Sequence, residues 1–275
     1  PLDARPVSGD PARRALMAGP VIFSTGSLYP FGLDRVYGWI SEARYDGVEI
    51  MMDERWDTHQ EEFLGDLVER HGVPILALHP PLRRGAWGLG PEETLVRVAR
   101  LASRMEVPVV VSHPPPPGRL LERWKAGPLS EAREQGVAVA VENMPQSREG
   151  GLFRVRRKSC YLPEHLADVG EVTLDTSHVG ASKVDLLRAH SALAVQLRHV
   201  HLSDSNLEVG RDEHRLPGKG RLPLKPFLAA LGASGYTGAV SLELKPWPLG
   251  APDPEAILER MRAALRFTRE GLGTI

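Results

Sequence analysis

Acidic residues and histidines stand at the ends of six consecutive apolar segments of this 275-residue chain. The residues are His79, His113, Glu142, Asp175 with His178, His201 and Glu243, and Asp212 and His214 follow the segment that ends near His201. Imidazole and carboxylate groups together are ligands for Zn²⁺ or Mn²⁺, and oxygen ligands alone suit Mg²⁺. Buried together without a cation, these groups would be costly to desolvate and would repel one another. The pattern therefore predicts a divalent metal site.

Eight apolar segments recur about every thirty residues, and each is predicted to form a strand. They are near-continuously apolar rather than alternating, which is typical of strands buried on both faces. The predicted strands are Val21–Thr25, Gly47–Met52, Ile75–Pro80, Val107–Pro114, Val137–Pro145, Glu171–Val179, Leu197–Asp204 and Ala239–Pro246. Apolar residues spaced by three and four predict helices over Leu33–Tyr45, Glu61–His71, Pro91–Glu106 and Val184–Leu197, and a final helix covers Pro254–Leu272.

Strand–helix alternation repeated eight times, with right-handed crossovers, closes into a single (β/α)8 TIM barrel. We assign residues 21–275 to the barrel and residues 1–20 to an N-terminal extension. A doubly wound open sheet would usually carry a glycine-rich phosphate turn after its first strand, and Ser24–Ser27 is not one. In a barrel, the strand ends meet at the C-terminal mouth, so the candidate ligands converge there.

Composition limits the classes of function. The chain is 42% hydrophobic and 25% charged with a net charge of -1, so it is a globular protein with no bulk attraction to nucleic acid or membranes. A single cysteine excludes an internal disulfide framework. No apolar run approaches membrane-spanning length and the N-terminus has no signal-like core, so a cytoplasmic protein is expected. The apolar loop residues Trp87, Leu89 and Trp247 suggest a homodimer.

Several short motifs together resemble the xylose-isomerase-like TIM barrel superfamily. That superfamily contains sugar and sugar-phosphate isomerases and epimerases, and also endonuclease IV, which acts at abasic sites in DNA. The motifs are Val141-Glu142-Asn143, Leu174-Asp175-Thr176-Ser177-His178, His201-Leu202-Ser203-Asp204, Asp212-Glu213-His214, Pro217-Gly218-Lys219-Gly220 and Leu242-Glu243. The resemblance covers all of the chain except its N-terminal tail.

In the isomerase and epimerase branch, the resemblance implies one divalent ion held by Glu142, Asp175, His201 and Glu243. Such an ion polarises the substrate carbonyl and stabilises an enediolate, while Glu142 and Glu243 remove and return the proton. A histidine placed like His178 contacts the substrate. Positive side chains near the mouth, Arg211, Arg215 and Lys245, are candidates for holding a hydroxyl or a phosphate.

In the endonuclease IV branch, the resemblance implies a cluster of three zinc ions. Its nine ligands would be His79, His113, Glu142, Asp175, His178, His201, Asp212, His214 and Glu243, and all nine have the required residue type. DNA would then be the partner, and a basic, aromatic rim would be needed to extrude a nucleotide. The candidates for that rim are Arg55-Trp56, Arg83-Arg84 with Trp87, and Arg154 with Arg156-Arg157-Lys158.

We predict the isomerase or epimerase and keep the nuclease as the alternative. The segments His79-Pro80-Pro81, His113–Pro117 and His178-Val179-Gly180 match endonuclease IV poorly. The Arg154–Lys158 cluster could equally hold a sugar phosphate. A barrel that binds a sugar without turnover is a third possibility, but it predicts the loss of a core ligand or an acid–base glutamate, and none is missing.

Overall fold

Eight parallel strands form a closed barrel in chain order, with β8 paired to β1. The computed structural model describes residues 19–81, 87–146 and 159–274. The strands are β1 Val21–Ser24, β2 Gly47–Met51, β3 Ile75–His79, β4 Val109–Ser112, β5 Ala138–Glu142, β6 Val172–Asp175, β7 Leu197–Leu202 and β8 Ala239–Leu242. The predicted (β/α)8 barrel is therefore confirmed, and each of the eight apolar segments contains a strand.

Helices cover the outside of the barrel and the loops at its mouth. They are α1 Leu33–Ala43, α2 Glu61–His71, α3 Pro91–Arg104, α4 Arg119–Trp124, α5 Ser130–Arg133, α6 Thr176–Ala181, α7 Leu186–Leu193, α8 Leu224–Ala233, α9 Pro246–Leu249 and α10 Pro254–Leu272. The helix α3 begins at Pro91 with Glu92 and Glu93 in its first turn, a favourable start because proline needs no N–H there and the acids face the positive helix end. No helix in the described part of the chain is long and apolar enough to cross a membrane.

The sixth predicted strand extends too far. The prediction ran from Glu171 to Val179, whereas β6 ends at Asp175 and α6 begins at Thr176. The Asp175 side chain accepts a hydrogen bond from the backbone N–H of His178 at 2.8 Å and so caps the new helix. All six residues of α6 are buried, so the segment lacks the polar face that would distinguish a helix from a strand in the sequence.

The side chains inside the barrel become more polar from its bottom to its mouth. On β1, β3, β4, β5 and β8 the lower interior is apolar and made of small or branched side chains, namely Ile22, Ala77, Val109, Ala140 and Ala239. Strand side chains alternate between faces, so the residue two positions later points inward one layer higher. That next position brings His79 above Ala77 and Glu142 above Ala140. The fold thus places polar side chains at the mouth on an apolar base.

Candidate metal centre

Four of the predicted ligands form one compact group at the mouth. Glu142, Asp175, His201 and Glu243 each offer a ligand atom, and these four atoms lie within 4.8 Å of one another. Glu142 and Asp175 are the last residues of β5 and β6, and Glu243 directly follows β8. Asp175 and His201 are also register partners across β6 and β7. Four different strands therefore supply one ligand each.

His201 is the centre of this group. Its Nδ1 atom lies 2.9 Å from Glu243 Oε2, 3.1 Å from Glu142 Oε1 and 3.7 Å from Asp175 Oδ2. His201 and Asp175 are completely buried. Three carboxylates thus converge on one buried ring nitrogen.

The donor set fits a divalent cation. Among the described residues, Glu142 Oε2 and Asp175 Oδ2 are buried oxygens without a hydrogen-bond partner. His113 Nε2 is only 2.8 Å from Glu142 Oε2, but the contact does not have hydrogen-bond geometry. Buried carboxylate oxygens left without partners are costly, and a bound cation would satisfy both. One imidazole and three carboxylates suit Mn²⁺, Zn²⁺ or Mg²⁺.

Local hydrogen bonds hold the ends of β5 and β6 together. The side chain of Asn143 accepts from the backbone N–H of Asp175 at 2.7 Å and donates to the backbone carbonyl of Asp175 at 3.1 Å. One Asp175 oxygen caps α6, which leaves the other oxygen directed at the four-residue group. Asn143 belongs to the Val141-Glu142-Asn143 motif, but the sequence analysis did not predict that it positions a ligand.

Two further groups flank the four-residue group and share residues with it. His79 and His113 approach Glu142, and His178 and His214 approach Asp175. Asp212 joins the second flank, because its Oδ2 lies 2.7 Å from His214 Nε2 and 3.6 Å from His178 Nε2. The structure therefore brings all nine predicted ligands together at the mouth.

Backbone carbonyls fix the ring orientation of three histidines. Nδ1 of His79 donates to the carbonyl of Pro80, Nδ1 of His178 to that of Asn143, and Nδ1 of His214 to that of Glu243. A carbonyl can only accept, so in each ring Nδ1 carries the hydrogen. Nε2 then faces Glu142 in the case of His79, and Asp212 in the case of His178 and His214. These histidines are oriented in the way that metal-binding histidines usually are.

The cluster shifts the pKa values of its members strongly. Burial favours the neutral acid, but His201 and the neighbouring histidines hold the pKa of Glu142 well below its usual range and that of Glu243 at about 2. Burial raises the pKa of Asp175, and Glu142 adds to this effect. Burial opposes charge on His201 too, yet the surrounding carboxylates raise its pKa well above the ordinary value. Strongly perturbed groups of this kind mark functional sites.

The loop after β7 carries Asp212 and His214 and is held by a buried carboxylate. Asp204 accepts hydrogen bonds from the backbone N–H groups of Gly218, Gly220 and Leu222 at 2.9 to 3.1 Å. A side chain at Gly220 would collide with Asp204, because its Cβ would lie within 3 Å of the carboxylate. Ser177 ties the same loop to α6 by donating to Asp212 Oδ1 at 2.6 Å.

The three predicted substrate-binding cations lie on or beside this loop. Arg211 pairs with Glu208 at 2.8 Å in an exposed position, and Arg215 lies 3.4 Å from Glu213. The ammonium group of Lys245 donates to the backbone carbonyl of Asp212. Lys245 therefore has direct contact with the loop that carries two candidate ligands.

Glu49, in β2, is a site residue that the sequence analysis missed. It is completely buried, and its Oε2 lies 2.7 Å from His199 Nε2 and 3.0 Å from His201 Nε2. Burial would raise its pKa, but the charge and hydrogen bonds of the two histidines hold that pKa well below the ordinary value. The available signal was a lone carboxylate inside an otherwise apolar strand.

Part of the predicted nucleic-acid rim lies outside the described residues. Arg83 and Arg84 fall in residues 82–86, and the Arg154–Lys158 cluster falls in residues 147–158. Arg55 forms an ion pair with Asp53 at 2.8 Å, and Trp56 is exposed. Trp87 packs under Arg97, whose guanidinium lies 4.5 Å from the ring centre.

Residues 38–269 match the xylose isomerase-like TIM barrel family, and the chain belongs to that family. An uncharacterized protein of Mycobacterium tuberculosis is 30% identical over 246 residues, which cover 80% of this chain and 87% of the relative. The D-psicose 3-epimerase of Agrobacterium fabrum is 27% identical over 156 residues, or 52% of each chain. A solved D-psicose 3-epimerase, crystallised in the presence of D-fructose, superposes with a TM-score of 0.69 at 18% identity and covers 92% of this chain and 99% of that one.

Proposed function

We propose that the protein is a divalent-metal-dependent epimerase or isomerase of a sugar or sugar phosphate. One observation carries the proposal: Glu142 and Glu243 both lie within 3.1 Å of the same His201 nitrogen, in one group with Asp175. The two carboxylates that would move a proton thus belong to the same set of ligands. The match to 3-epimerases by sequence and by fold supports the same class of substrate.

In this proposal, Glu142, Asp175, His201 and Glu243 hold the ion. A bound divalent cation supplies Lewis acidity, which acidifies the C–H group beside a carbonyl. Glu142 and Glu243 are ionised at neutral pH because their pKa values are lowered, so either carboxylate can accept that proton. The other glutamate, once it has taken a proton from water, delivers that proton to the opposite face of the carbon and so gives the epimer, and the first glutamate then releases the abstracted proton to water.

The remaining predicted residues have roles around the substrate. His178 presents Nε2 to the mouth, where it can hydrogen-bond a hydroxyl group. Lys245, Arg211 and Arg215 are the candidates for anchoring a distal hydroxyl or a phosphate. A recess of about 160 Å³ adjoins His79 and His113 and is lined by Pro81, Leu95 and Trp124, on the side of the site where these histidines approach Glu142.

The direct test is exchange of substrate hydrogen with solvent. Ketoses such as D-fructose, D-psicose and L-ribulose, and their phosphates, are incubated with the Mn²⁺- or Mg²⁺-loaded protein in D₂O and followed by NMR and mass spectrometry. We expect deuterium at the carbon beside the carbonyl of one substrate, together with its epimer. Both products should form far more slowly with Glu142→Gln or Glu243→Gln.

An abasic-site endonuclease is the second candidate, and the two flanking groups favour it. His79 with His113, and His178 with Asp212 and His214, would give a second and a third ion their ligands beside the first. Several ions together activate a hydroxide and neutralise charge on an attacked phosphodiester. Cleavage of duplex DNA at an abasic site, with no deuterium uptake into any ketose, would replace the first proposal by this one.

A further inference from the structure

A buried carboxylate below the metal centre takes no part in the proposed chemistry. Glu49 lies in the barrel interior on β2 and does not belong to the four-residue group. Its Oε2 accepts a hydrogen bond from Nε2 of His201 at 3.0 Å and another from Nε2 of His199 at 2.7 Å. Both partners are themselves completely buried, so water does not compete for these contacts.

The contact with Glu49 decides which nitrogen His201 offers to the centre. An ionised carboxylate only accepts hydrogen bonds, so Nε2 of His201 must carry a hydrogen. Nδ1 is then the nitrogen left to face Glu142 and Glu243. His79, His178 and His214 have the opposite arrangement, since backbone carbonyls take Nδ1–H and Nε2 faces a carboxylate.

We propose that Glu49 is a positioning residue that holds His201 in the Nε2–H form with Nδ1 directed at the divalent ion. His199 supports Glu49 through the second hydrogen bond and does not itself reach the four-residue group. A carboxylate behind a ligating imidazole fixes its orientation and increases its basicity as a ligand. This inference rests on the proposed metal centre.

The backbone is irregular at the two places that this arrangement needs. The pairing of β2 with β3 shifts register between Val48 and Glu49. The pairing of β6 with β7 shifts between Val172 and Thr173, and Thr173 is the register partner of His199. Register shifts of this kind re-aim individual side chains and are frequent beside active sites. They support an assigned role for Glu49 and His199 inside the barrel.

The affinity for Mn²⁺, measured by calorimetry, tests the role of Glu49. Glu49→Met keeps about the length of the side chain but offers only a weak thioether acceptor. We expect it to weaken Mn²⁺ binding by about 10- to 100-fold. Glu49→Gln keeps an acceptor oxygen, so this variant should lose clearly less affinity for Mn²⁺. Ser24→Ala is the matched control, because Ser24 is the buried register neighbour of Glu49 and its hydroxyl has no hydrogen-bond partner in the described structure. Binding by Glu49→Met within about twofold of the unmodified protein would overturn the inference.

The protonation state of the two ring nitrogens of His201 can be determined on the unmodified protein. Protein labelled with ¹⁵N-histidine and loaded with Zn²⁺ or Mg²⁺ should give long-range ¹H–¹⁵N spectra in which His201 carries hydrogen on Nε2 and coordinates through Nδ1. Coordination through Nε2, which would place the ion among Glu49, His199 and His201, contradicts the inference but leaves a metal enzyme. Failure of the unmodified protein to bind any divalent ion would overturn the proposed function and this inference together.

Discussion

The lower interior of the barrel and its mouth are built by the same strands but behave as opposites. Two residues along β3 separate Ala77 from His79, and two along β5 separate Ala140 from Glu142. On β1, β3, β4, β5 and β8 the lower layer buries apolar groups that need no partner, whereas the mouth buries charged groups that leave Glu142 Oε2 and Asp175 Oδ2 without hydrogen bonds. The lower layer therefore contributes stability, and the layer above it holds polar groups whose burial is unfavourable by itself.

The largest effect on activity is expected from a change at the mouth, at Glu142. Glu142→Gln removes a ligand charge and a base, so we expect kcat to fall by about 10²- to 10⁴-fold while the fold is kept. Turnover of the responding ketose and circular dichroism measure the two effects. Full activity in both Glu142→Gln and Glu243→Gln would show that the site is wrongly assigned.

A substitution in the lower layer should have the reverse result: it should lower stability and leave activity unchanged. Ile22 is completely buried in the lower interior, so Ile22→Ala should reduce the free energy of unfolding by about 2–5 kcal/mol through the cavity it leaves. Metal affinity and kcat of the folded variant should stay unchanged. Denaturant unfolding measures the first quantity, with Ile22→Val as the milder control. A loss of metal affinity in the folded variant would mean that the two layers are not independent.

Solution pH should act on the mouth through His201. Burial opposes charge on this ring, but the surrounding carboxylates raise its pKa well above the ordinary value, so a proton competes with the ion for Nδ1 at neutral pH. Glu142 and Glu243 have lowered pKa values and stay ionised above about pH 6. Affinity for the ion should therefore rise with pH from pH 6 until the pKa of His201 is passed, by up to about tenfold per unit. Calorimetry across this range should also find about one proton released per ion; an affinity independent of pH would contradict the assignment of His201.

A smaller effect is expected where the mouth is supported from its side. Asp204→Ala removes the acceptor for three backbone N–H groups of the β7 loop, and we expect a loss of about 1–3 kcal/mol in the free energy of unfolding. Asp66, an exposed carboxylate on α2, provides the control Asp66→Ala, which should change little. Equal stability of the two variants would show that Asp204 does not hold the loop.

The smallest effect is expected for a substitution of His79, and its size distinguishes the two proposed functions. His79 lies 3.6 Å from Glu142 Oε2, outside the four-residue group. In an epimerase with one ion, His79→Ala should change kcat/KM by less than about fivefold, which is under 1 kcal/mol in transition-state energy. A loss of 10²-fold or more would favour a centre with several ions.

The sequence predicted the strands well, and it also identified the polar residues that meet at the mouth, because both depend on local pattern. The strand segments are apolar on both faces, and polar residues directly after them need no knowledge of packing to be noticed, as at Glu142 and His201. Glu49 was missed because it sits inside an apolar strand, and its partners on β7 are 150 and 152 residues away. The end of β6 was misplaced because the helix after Asp175 is buried on all sides and has no helical periodicity.

The number of ions per chain tests the central claim most directly. Gently purified protein is examined by native mass spectrometry and elemental analysis, beside Glu243→Gln as the variant that removes one ligand of the four-residue group. The account predicts one divalent ion per chain in the unmodified protein and little or none in Glu243→Gln. Three zinc ions per chain, or a single ion that Glu243→Gln retains fully, would contradict it.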